Sequence, residues 1–266
     1  MKRLANGIQP ELDLAGGWTA ETIVFQDSQV GAQRQSIQLW FPADADAVLE
    51  QQIQTGNEED PFWCYLWPTA RILAQQVFSI IRLAFSDLPA SHSSRLQVLD
   101  TGCGIGLVGL AALAAGSTTV TFQDLRSLSV ELALHNAQVN GFGDRAIGET
   151  FDWRSPPAQT FDWIIASDVL YHVPAHEPLL NFLERAIALP KSPRNTPPQR
   201  QRSNSTLAQL GITEKIWIGD PGRREAEAFI QRAKAHFQVH LFDAKGTPLA
   251  SPQHGDYQLI VLNPIA

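Results

Sequence analysis

Short apolar runs alternate with segments of helical spacing along the middle and the C-terminal part of the chain. The runs end at Asp100, Asp124, Phe151, Ser167 and Gly219, and we predict a buried β-strand at each of them. Strands that alternate with helices are typical of an α/β fold, in which a parallel sheet carries helices on both faces. The pattern therefore predicts a set of parallel strands joined by helices.

Cap residues indicate where several of these helices begin and end. Gly116 is predicted to end the helix that follows the first strand, and Ser127 is predicted as the N-cap of the next one, which stops at Asn140 and Gly141. A separate helix is predicted to begin just after Pro68.

Both ends of the chain add antiparallel elements. Residues 238–242 and 257–262 predict a pair of strands at the sheet edge, and residues 22–25 and 36–41 predict a hairpin. We therefore expect an N-terminal extension over residues 1–60 and a main domain over residues 61–266.

A glycine-rich turn follows the first predicted strand. Gly102, Gly104 and Gly106 occupy alternate positions after Asp100, and glycines let a backbone turn sharply and approach a ligand closely. Cys103 lies inside this turn, where a small side chain fits. Because ligands of such sheets bind outside the carboxyl ends of the strands, we predict a nucleoside-cofactor site there.

Two cofactor classes compete for this turn. Residues 104–109 match the dinucleotide pattern G-x-G-x-x-G by spacing, although that pattern alone is weak. Asp100 would be unfavourable beside a pyrophosphate but favourable beside the ammonium and sulfonium groups of S-adenosylmethionine. Asp124 also follows the glycines more closely than the roughly 20-residue separation of the dinucleotide fingerprint. The residues therefore favour S-adenosylmethionine and leave a dinucleotide as the alternative.

Composition restricts the classes of partner. A formal net charge of −7 and a pI near 5.5 argue against a nucleic-acid partner, and no apolar run approaches the roughly 20 residues of a membrane span. The first residues lack the apolar core of a signal peptide. Cys64 and Cys103 form neither a disulfide framework nor a metal cluster, and His172 and His176 lack further metal ligands. We therefore expect a cytoplasmic monomer without a metal and without membrane contact.

Residues 190–210 are rich in proline, serine and arginine and have few apolar residues. Such a composition predicts an exposed insertion, with a docking segment as the alternative.

Three further motifs carry a family resemblance. They are Trp67-Pro68, Asp152-Trp153, and Asp168 to Tyr171, an acid-x-x-aromatic segment. From about residue 61 onward the chain resembles the class I S-adenosylmethionine-dependent methyltransferases, and among them the protein-lysine methyltransferases of family 16. This resemblance implies a Rossmann-like, seven-stranded, mostly parallel sheet with an antiparallel C-terminal strand.

Within that family, the segment PFWCYLWPTARILA and the segment GDPGR, residues 219–223, are most similar to the branch acting on the β-subunit of electron-transfer flavoprotein. Thr69 and Ala70 stand where that branch usually has glycines. The pair Gln123-Asp124 is also similar to the protein-histidine methyltransferase branch, so the resemblance leaves the acceptor open.

The resemblance also implies roles for single residues. Asp168 would orient the acceptor nitrogen and Tyr171 would form a wall of its pocket, while Asp124 would bind the ribose hydroxyls. The implied cofactor-binding residues are Trp67, Asp100, Gly102, Cys103, Gly104, Gly106, Asp124, Leu125, Asp152, Trp153 and Ser167. Structural alternatives remain, because Asp168 could cap the following segment and Trp67 and Trp153 could be core residues.

The predicted function is S-adenosylmethionine-dependent methyl transfer to a lysine side chain of a protein substrate. Two alternatives stay open, namely a small-molecule N- or O-methyltransferase on the same fold and a nucleoside-binding module without turnover.

Overall fold

A computed structural model describes residues 9–11, 14–26, 34–54, 62–85, 96–187 and 215–265 of the chain. The predicted insertion at residues 190–210 lies outside the described residues. The strands are β1 (Trp18–Gln26), β2 (Arg34–Pro42), β3 (Gln97–Thr101), β4 (Thr119–Asp124), β5 (Ala146–Thr150), β6 (Trp163–Ser167), β7 (Lys215–Asp220), β8 (Phe237–Phe242) and β9 (Gln258–Pro264). The α-helices are α1 (Ala45–Gln54), α2 (Pro68–Phe85), α3 (Leu107–Ala115), α4 (Ser127–Val139), α5 (His176–Ala186) and α6 (Arg224–Ala233).

The central sheet has seven strands in the order β5-β4-β3-β6-β7-β9-β8. Strand β9 is antiparallel to both of its neighbours, and the other pairings are parallel. The predicted α/β fold with an antiparallel C-terminal strand is therefore confirmed. After β3 the chain adds β4 and β5 on one side of β3 and then adds β6 on the other side. This reversal places the expected binding crevice at the carboxyl ends of β3 and β6.

Each face of the sheet packs into its own hydrophobic core. In β6, Trp163 and Ile165 face the core that contains α2 and α3, whereas Ile164 and Ala166 face the core of α5 and α6. Burial on both faces explains why the parallel strands are apolar at successive positions instead of alternating with polar residues.

The predicted N-terminal hairpin is also observed, with longer strands than the sequence indicated. Two asparagine side chains pair with the backbone of β2. Asn136 of α4 bonds both the N–H and the C=O of Trp40, and Asn140, the C-cap residue of α4, does the same at Gln38. These bonds satisfy backbone groups that an edge strand would otherwise leave open.

Several predicted boundaries differ from the structure. Ser127 is not the N-cap of α4 but its first residue, and the cap position is held by Arg126 without a side-chain capping bond. The carboxylate of Asp124 instead accepts the Arg126 N–H at 3.1 Å, so the acid at the strand tip shapes the entry to the helix. Gly116 is the left-handed C-cap of α3 as predicted, with φ 115°. None of the helices in the described residues is long and apolar enough to cross a membrane.

Candidate cofactor and acceptor site

The glycine turn after β3 is closely covered by two other segments. Gly102, Gly104 and Gly106 have φ values of 63°, 51° and 87°, a region that favours glycine. A Cβ on Gly102 would lie 2.6 Å from Val169 Cγ1, and one on Gly104 would lie 3.3 Å from the Trp63 carbonyl oxygen. The turn thus lies between the aromatic segment at residues 62–67 and the segment that starts at Asp168.

Asp100 lies beneath this turn. Its carboxylate accepts the N–H of Gly109, in the first turn of α3, at 2.8 Å, and the residue is 1% exposed. Burial raises the pKa of Asp100 to about 8, with the charge of Asp124 adding to the effect. Asp100 therefore joins the strand to the helix, and its predicted contact with a cofactor stays a prediction.

Asp124 ends β4 and faces the same turn. Its carboxylate accepts the Gly104 N–H at 3.0 Å and the Arg126 N–H at 3.1 Å. Burial raises the pKa of Asp124, although these N–H bonds lower it. Leu125, the next residue, is exposed. An acid and an apolar side chain thus adjoin each other at this strand tip, as the ribose and base of a nucleoside require.

Cys103 packs against the protein rather than lining an opening. Its backbone N–H bonds the Gln123 carbonyl at 2.9 Å, and its thiol lies 3.7 Å from the Ser129 hydroxyl. Burial raises the pKa of this thiol well above its ordinary value. Cys103 therefore belongs to the support of the turn.

Trp153 donates hydrogen bonds to two polar side chains, Thr101, which the sequence analysis did not name, and Gln123, which it named only for a family resemblance. Its indole N–H donates to Thr101 Oγ1 at 2.9 Å and to Gln123 Oε1 at 3.2 Å. The ring is partly buried. Asp152 pairs with its neighbour Arg154, with 2.6 Å between Oδ2 and Nη2, and this pair holds the pKa of Asp152 below its usual range.

Asp168 follows β6 in a left-handed conformation with φ 62°, the one such non-glycine residue among those described. Its carboxylate is 5% exposed and accepts Arg223 Nη2 at 2.8 Å and Ser167 Oγ at 3.1 Å. Burial raises the pKa of Asp168, whereas Arg223, Ser167 and Thr69 oppose that rise. The alternative of a helix cap is wrong, because the next helical turn has His172 at its N-cap position without a side-chain bond.

The charged partner of Asp168, Arg223, comes from the turn after β7, which the sequence analysis noted only as part of the GDPGR segment. Asp220 is fully buried, and its Oδ1 accepts the N–H groups of Gly222 and Arg223, each at 2.8 Å. Tyr257 lies near Asp168 and donates its hydroxyl to Gln76 at 2.6 Å. The Arg223–Asp168 and Tyr257–Gln76 contacts link residues distant in sequence, so no local pattern could have found them.

Aromatic rings cluster on the two segments that lie next in sequence to Asp168 and to its partner Thr69. Phe62 packs edge-on against both Tyr171, at 5.6 Å, and Trp67, at 6.2 Å between ring centroids. Tyr65 packs against Trp67 at 5.4 Å. Trp63 is a buried core residue, whereas Trp67 is partly exposed and Tyr171 is 45% exposed. The structure thus brings Tyr171 together with the aromatic segment, as a pocket wall requires.

His176 has a structural position. It is fully buried, and its Nε2 lies 2.9 Å from the Leu170 carbonyl oxygen while its ring packs on Phe229.

The donor set fits a cationic nucleoside. The carboxyl groups of Asp100, Asp124 and Asp168 lie around the glycine turn, and burial is the main cause that raises the pKa of each. A positive charge nearby would favour the ionised form of such groups. A ligand with a sulfonium and an ammonium group supplies positive charge, whereas a pyrophosphate would add negative charge. The turn therefore suits S-adenosylmethionine.

Comparisons with known proteins identify the family of the chain. A family profile described as "Lysine methyltransferase" matches residues 49–206, more than half of the 266-residue chain. The electron transfer flavoprotein beta subunit lysine methyltransferase of Danio rerio is 25% identical over 188 residues, which cover 68% of this chain and 58% of that protein. The ribosomal protein L11 methyltransferase of Acinetobacter baumannii (strain SDF) is 28% identical over 152 residues, which cover 54% of this chain and 44% of that protein.

The chain thus spans about half the length of these relatives. The crystal structure of a proposed RNA methyltransferase from Pyrococcus horikoshii superimposes with a TM-score of 0.51 at 14% identity, covering 82% of this chain and 98% of that one. At that identity the likeness supports the fold alone. On the family match, the chain belongs to the lysine methyltransferase family that this profile describes.

Proposed function

We propose that this chain transfers a methyl group from S-adenosylmethionine to the side-chain nitrogen of a lysine in a protein. The observation that carries the proposal is Asp168, a buried carboxylate at the carboxyl end of β6, together with Tyr171, which follows it by three residues and packs against Phe62. The next residue, Val169, packs on Gly102 of the cofactor turn. An amine held at Asp168 would thus adjoin the methyl donor.

The chemistry explains why a carboxylate and aromatic rings belong together here. When bound, S-adenosylmethionine supplies a methyl group whose bond to sulfur breaks, leaving its electron pair on sulfur, as the amine lone pair forms the new nitrogen–carbon bond. The amine must first be neutral, and desolvation among Phe62, Trp67 and Tyr171 would lower its pKa. Positive charge then develops on the nitrogen, where the Asp168 carboxylate stabilises it.

The remaining residues of the site would hold the donor in line with the amine. Asp124 is placed to accept hydrogen bonds from ribose hydroxyls, and Gly102 and Gly104 let the backbone approach the methionine end. Trp153, fixed by two hydrogen bonds, would support the adenine side.

The names of related proteins support a protein acceptor. Proteins from Danio rerio and Xenopus laevis, each 25% identical to this chain, are named as lysine methyltransferases of the electron transfer flavoprotein beta subunit. The ribosomal protein L11 methyltransferases also carry the name of a protein acceptor. The motif at residues 168–171 adds the acid and the aromatic ring that methylation of a lysine side chain requires.

Two matched variants test the division of roles. We expect Asp168→Asn to lower methyl transfer into lysate protein by about 10²-fold or more, because the developing ammonium loses its carboxylate, while the Kd for S-adenosylmethionine in calorimetry changes little. Asp124→Asn should raise that Kd by about tenfold or more, because a charged hydrogen-bond acceptor is lost. Full transfer by Asp168→Asn together with lost transfer by Asp124→Asn would remove the role assigned to Asp168.

A second measurement separates a protein acceptor from a metabolite. Methyl-labelled S-adenosylmethionine is incubated with the protein and a cell lysate, before and after small molecules are removed by gel filtration. The proposal expects label in the protein fraction in both samples. Label that disappears with the small molecules would instead favour a small-molecule acceptor.

A further inference from the structure

Arg223 links two buried carboxylates at the acceptor side of the site. We propose that Arg223 is a positioning residue for methyl transfer, an inference that rests on the proposed function. Arg223 would fix one oxygen of the Asp168 carboxylate, so that the carboxylate faces the acceptor nitrogen in one orientation. Arg223 would act through Asp168 and would not touch the cofactor.

The guanidinium is itself held in place by a rigid turn. Its Nη1 lies 3.2 Å from Asp220 Oδ2, and the other oxygen of Asp220 is bound to two backbone N–H groups of the same turn. Gly222 has φ 79°, and a Cβ there would lie 2.6 Å from the Asp256 carbonyl oxygen, so the turn is packed against the loop before β9. Asp220 therefore orients Arg223 independently of Asp168.

This arrangement leaves a defined part of Asp168 for an acceptor. Arg223 Nη2 occupies Oδ1 at 2.8 Å, and Ser167 Oγ approaches Oδ2 at 3.1 Å. A carboxylate has about four lone-pair positions, so further acceptor capacity remains. The left-handed backbone of Asp168 and its backbone bond to the Gly219 carbonyl, at 3.0 Å, fix the direction of the side chain. The planar fork of arginine can bridge two carboxylates, whereas a lysine ammonium is a point charge.

The charges of this cluster suit an amine that becomes a cation. Asp168 and Asp220 contribute two negative charges and Arg223 one positive charge, so the cluster carries one net negative charge when both acids are ionised. The ammonium formed by methyl transfer would neutralise it. The other groups facing Asp168 are the Ser167 and Thr69 hydroxyls and Tyr257, whose own pKa is raised by burial and by the charge of Asp168. Among the residues described, Arg223 is the cation whose charge opposes the rise in the pKa of Asp168.

The test uses the full chain with Arg223→Gln and Arg223→Lys, and with Arg224→Gln as the matched control. Arg224 is the exposed neighbour at the start of α6. Three quantities are measured, namely the Kd for S-adenosylmethionine, the initial rate of label transfer into lysate protein from pH 6 to 9, and the titration of the Asp168 carboxyl by ¹³C NMR. Asp168→Asn assigns that carboxyl resonance.

We expect Arg223→Gln to slow transfer by about 10²-fold, because a misplaced reacting group costs about that much. The Asp168 titration should move to higher pH, and the loss of transfer should deepen toward acidic pH. Arg223→Lys should recover part of both effects, since it restores the charge without the fork. Arg224→Gln should match the unchanged protein, and no variant should alter the Kd for S-adenosylmethionine by more than about twofold.

The outcomes separate this inference from the proposed function. An unchanged Asp168 titration in Arg223→Gln, or a rate equal to that of the unchanged protein across the pH range, overturns the inference. Failure of the unchanged protein to label any protein overturns the proposed function, whereas the carboxyl titration still decides whether Arg223 holds Asp168. If circular dichroism shows that Arg223→Gln does not fold, Arg223→Lys is judged by the same two criteria.

Discussion

The contact between Gly102 and Val169 joins the cofactor turn to the acceptor segment, and a double-mutant cycle tests it. Gly102→Ala places a methyl group in a left-handed backbone with φ 63°, at a cost of about 1–2 kcal/mol. The new Cβ would lie 2.6 Å from Val169 Cγ1, well inside the roughly 3.5–4.0 Å of a normal carbon contact. Overpacking of this kind adds about 1–3 kcal/mol.

Val169→Ala removes the atom that collides with the new methyl group. Alone it should destabilise the protein by about 1–2 kcal/mol, because a buried side chain loses two methyl groups. Combined with Gly102→Ala it should relieve the collision and leave the backbone strain. The two free energies of unfolding should therefore couple favourably by about 1–3 kcal/mol.

Urea unfolding of the two single variants and the double variant measures this coupling. Gly141→Ala is the control, since Gly141 has φ 74° and no atom within 4 Å of an added Cβ, so it carries the strain without the collision. It should cost about 1–2 kcal/mol and show no coupling to Val169→Ala. Additive effects of Gly102→Ala and Val169→Ala, within about 0.5 kcal/mol, would refute the reasoning.

Three further variants probe the support of the site. In the folded state Asp100 holds its proton up to pH about 8, whereas the unfolded chain releases it near pH 3.8. Its contribution to stability therefore falls as pH rises through that window, by up to about 1.4 kcal/mol per pH unit. Asp100→Asn should flatten this slope in unfolding measured from pH 4 to 8, and an unchanged slope would contradict the assignment. Trp153→Phe loses two hydrogen bonds and should lower stability by about 1–3 kcal/mol in urea unfolding. Thr101→Val should cost less in that background than in the unchanged protein, because only its bond to Gln123 then remains to be lost, and a fully additive loss would argue against the shared bond. Asn136→Ala removes both bonds to the backbone of Trp40 and should lower the free energy of unfolding by about 2–4 kcal/mol. Proteolysis of the hairpin should also become faster, and an unchanged cleavage rate would argue that those bonds do not hold the hairpin on the domain.

Much of the fold could be predicted because its causes are local. Strands buried on both faces must be apolar at successive positions, and helices between them carry caps such as Gly116. The wrong assignment of Ser127 as an N-cap has a physical reason. Asp124 at the strand tip satisfies the backbone at Arg126, so the helix begins without a side-chain cap.

The candidate site was predictable only in part. The ends of parallel strands share one edge of the sheet, but the side chains that pair with the strand-end residues come from other parts of the chain. Asp124 and Asp168 could be placed from strand ends. Arg223 lies 55 residues from Asp168, and Asn136 lies 96 residues from Trp40, so neither pairing leaves a periodic or local signal. Thr101 and Gln123 are likewise inward-facing strand residues whose bonds to Trp153 depend on the register of β3 and β4.

The position of the transferred methyl group tests the central claim most directly. Lysate protein labelled from methyl-labelled S-adenosylmethionine by the unchanged protein, and in parallel by Asp168→Asn, is hydrolysed to amino acids and separated by chromatography. The account predicts label in methylated lysine with the unchanged protein and a loss of about 10²-fold with the variant. Label in methylated histidine, or label confined to small molecules, would contradict it.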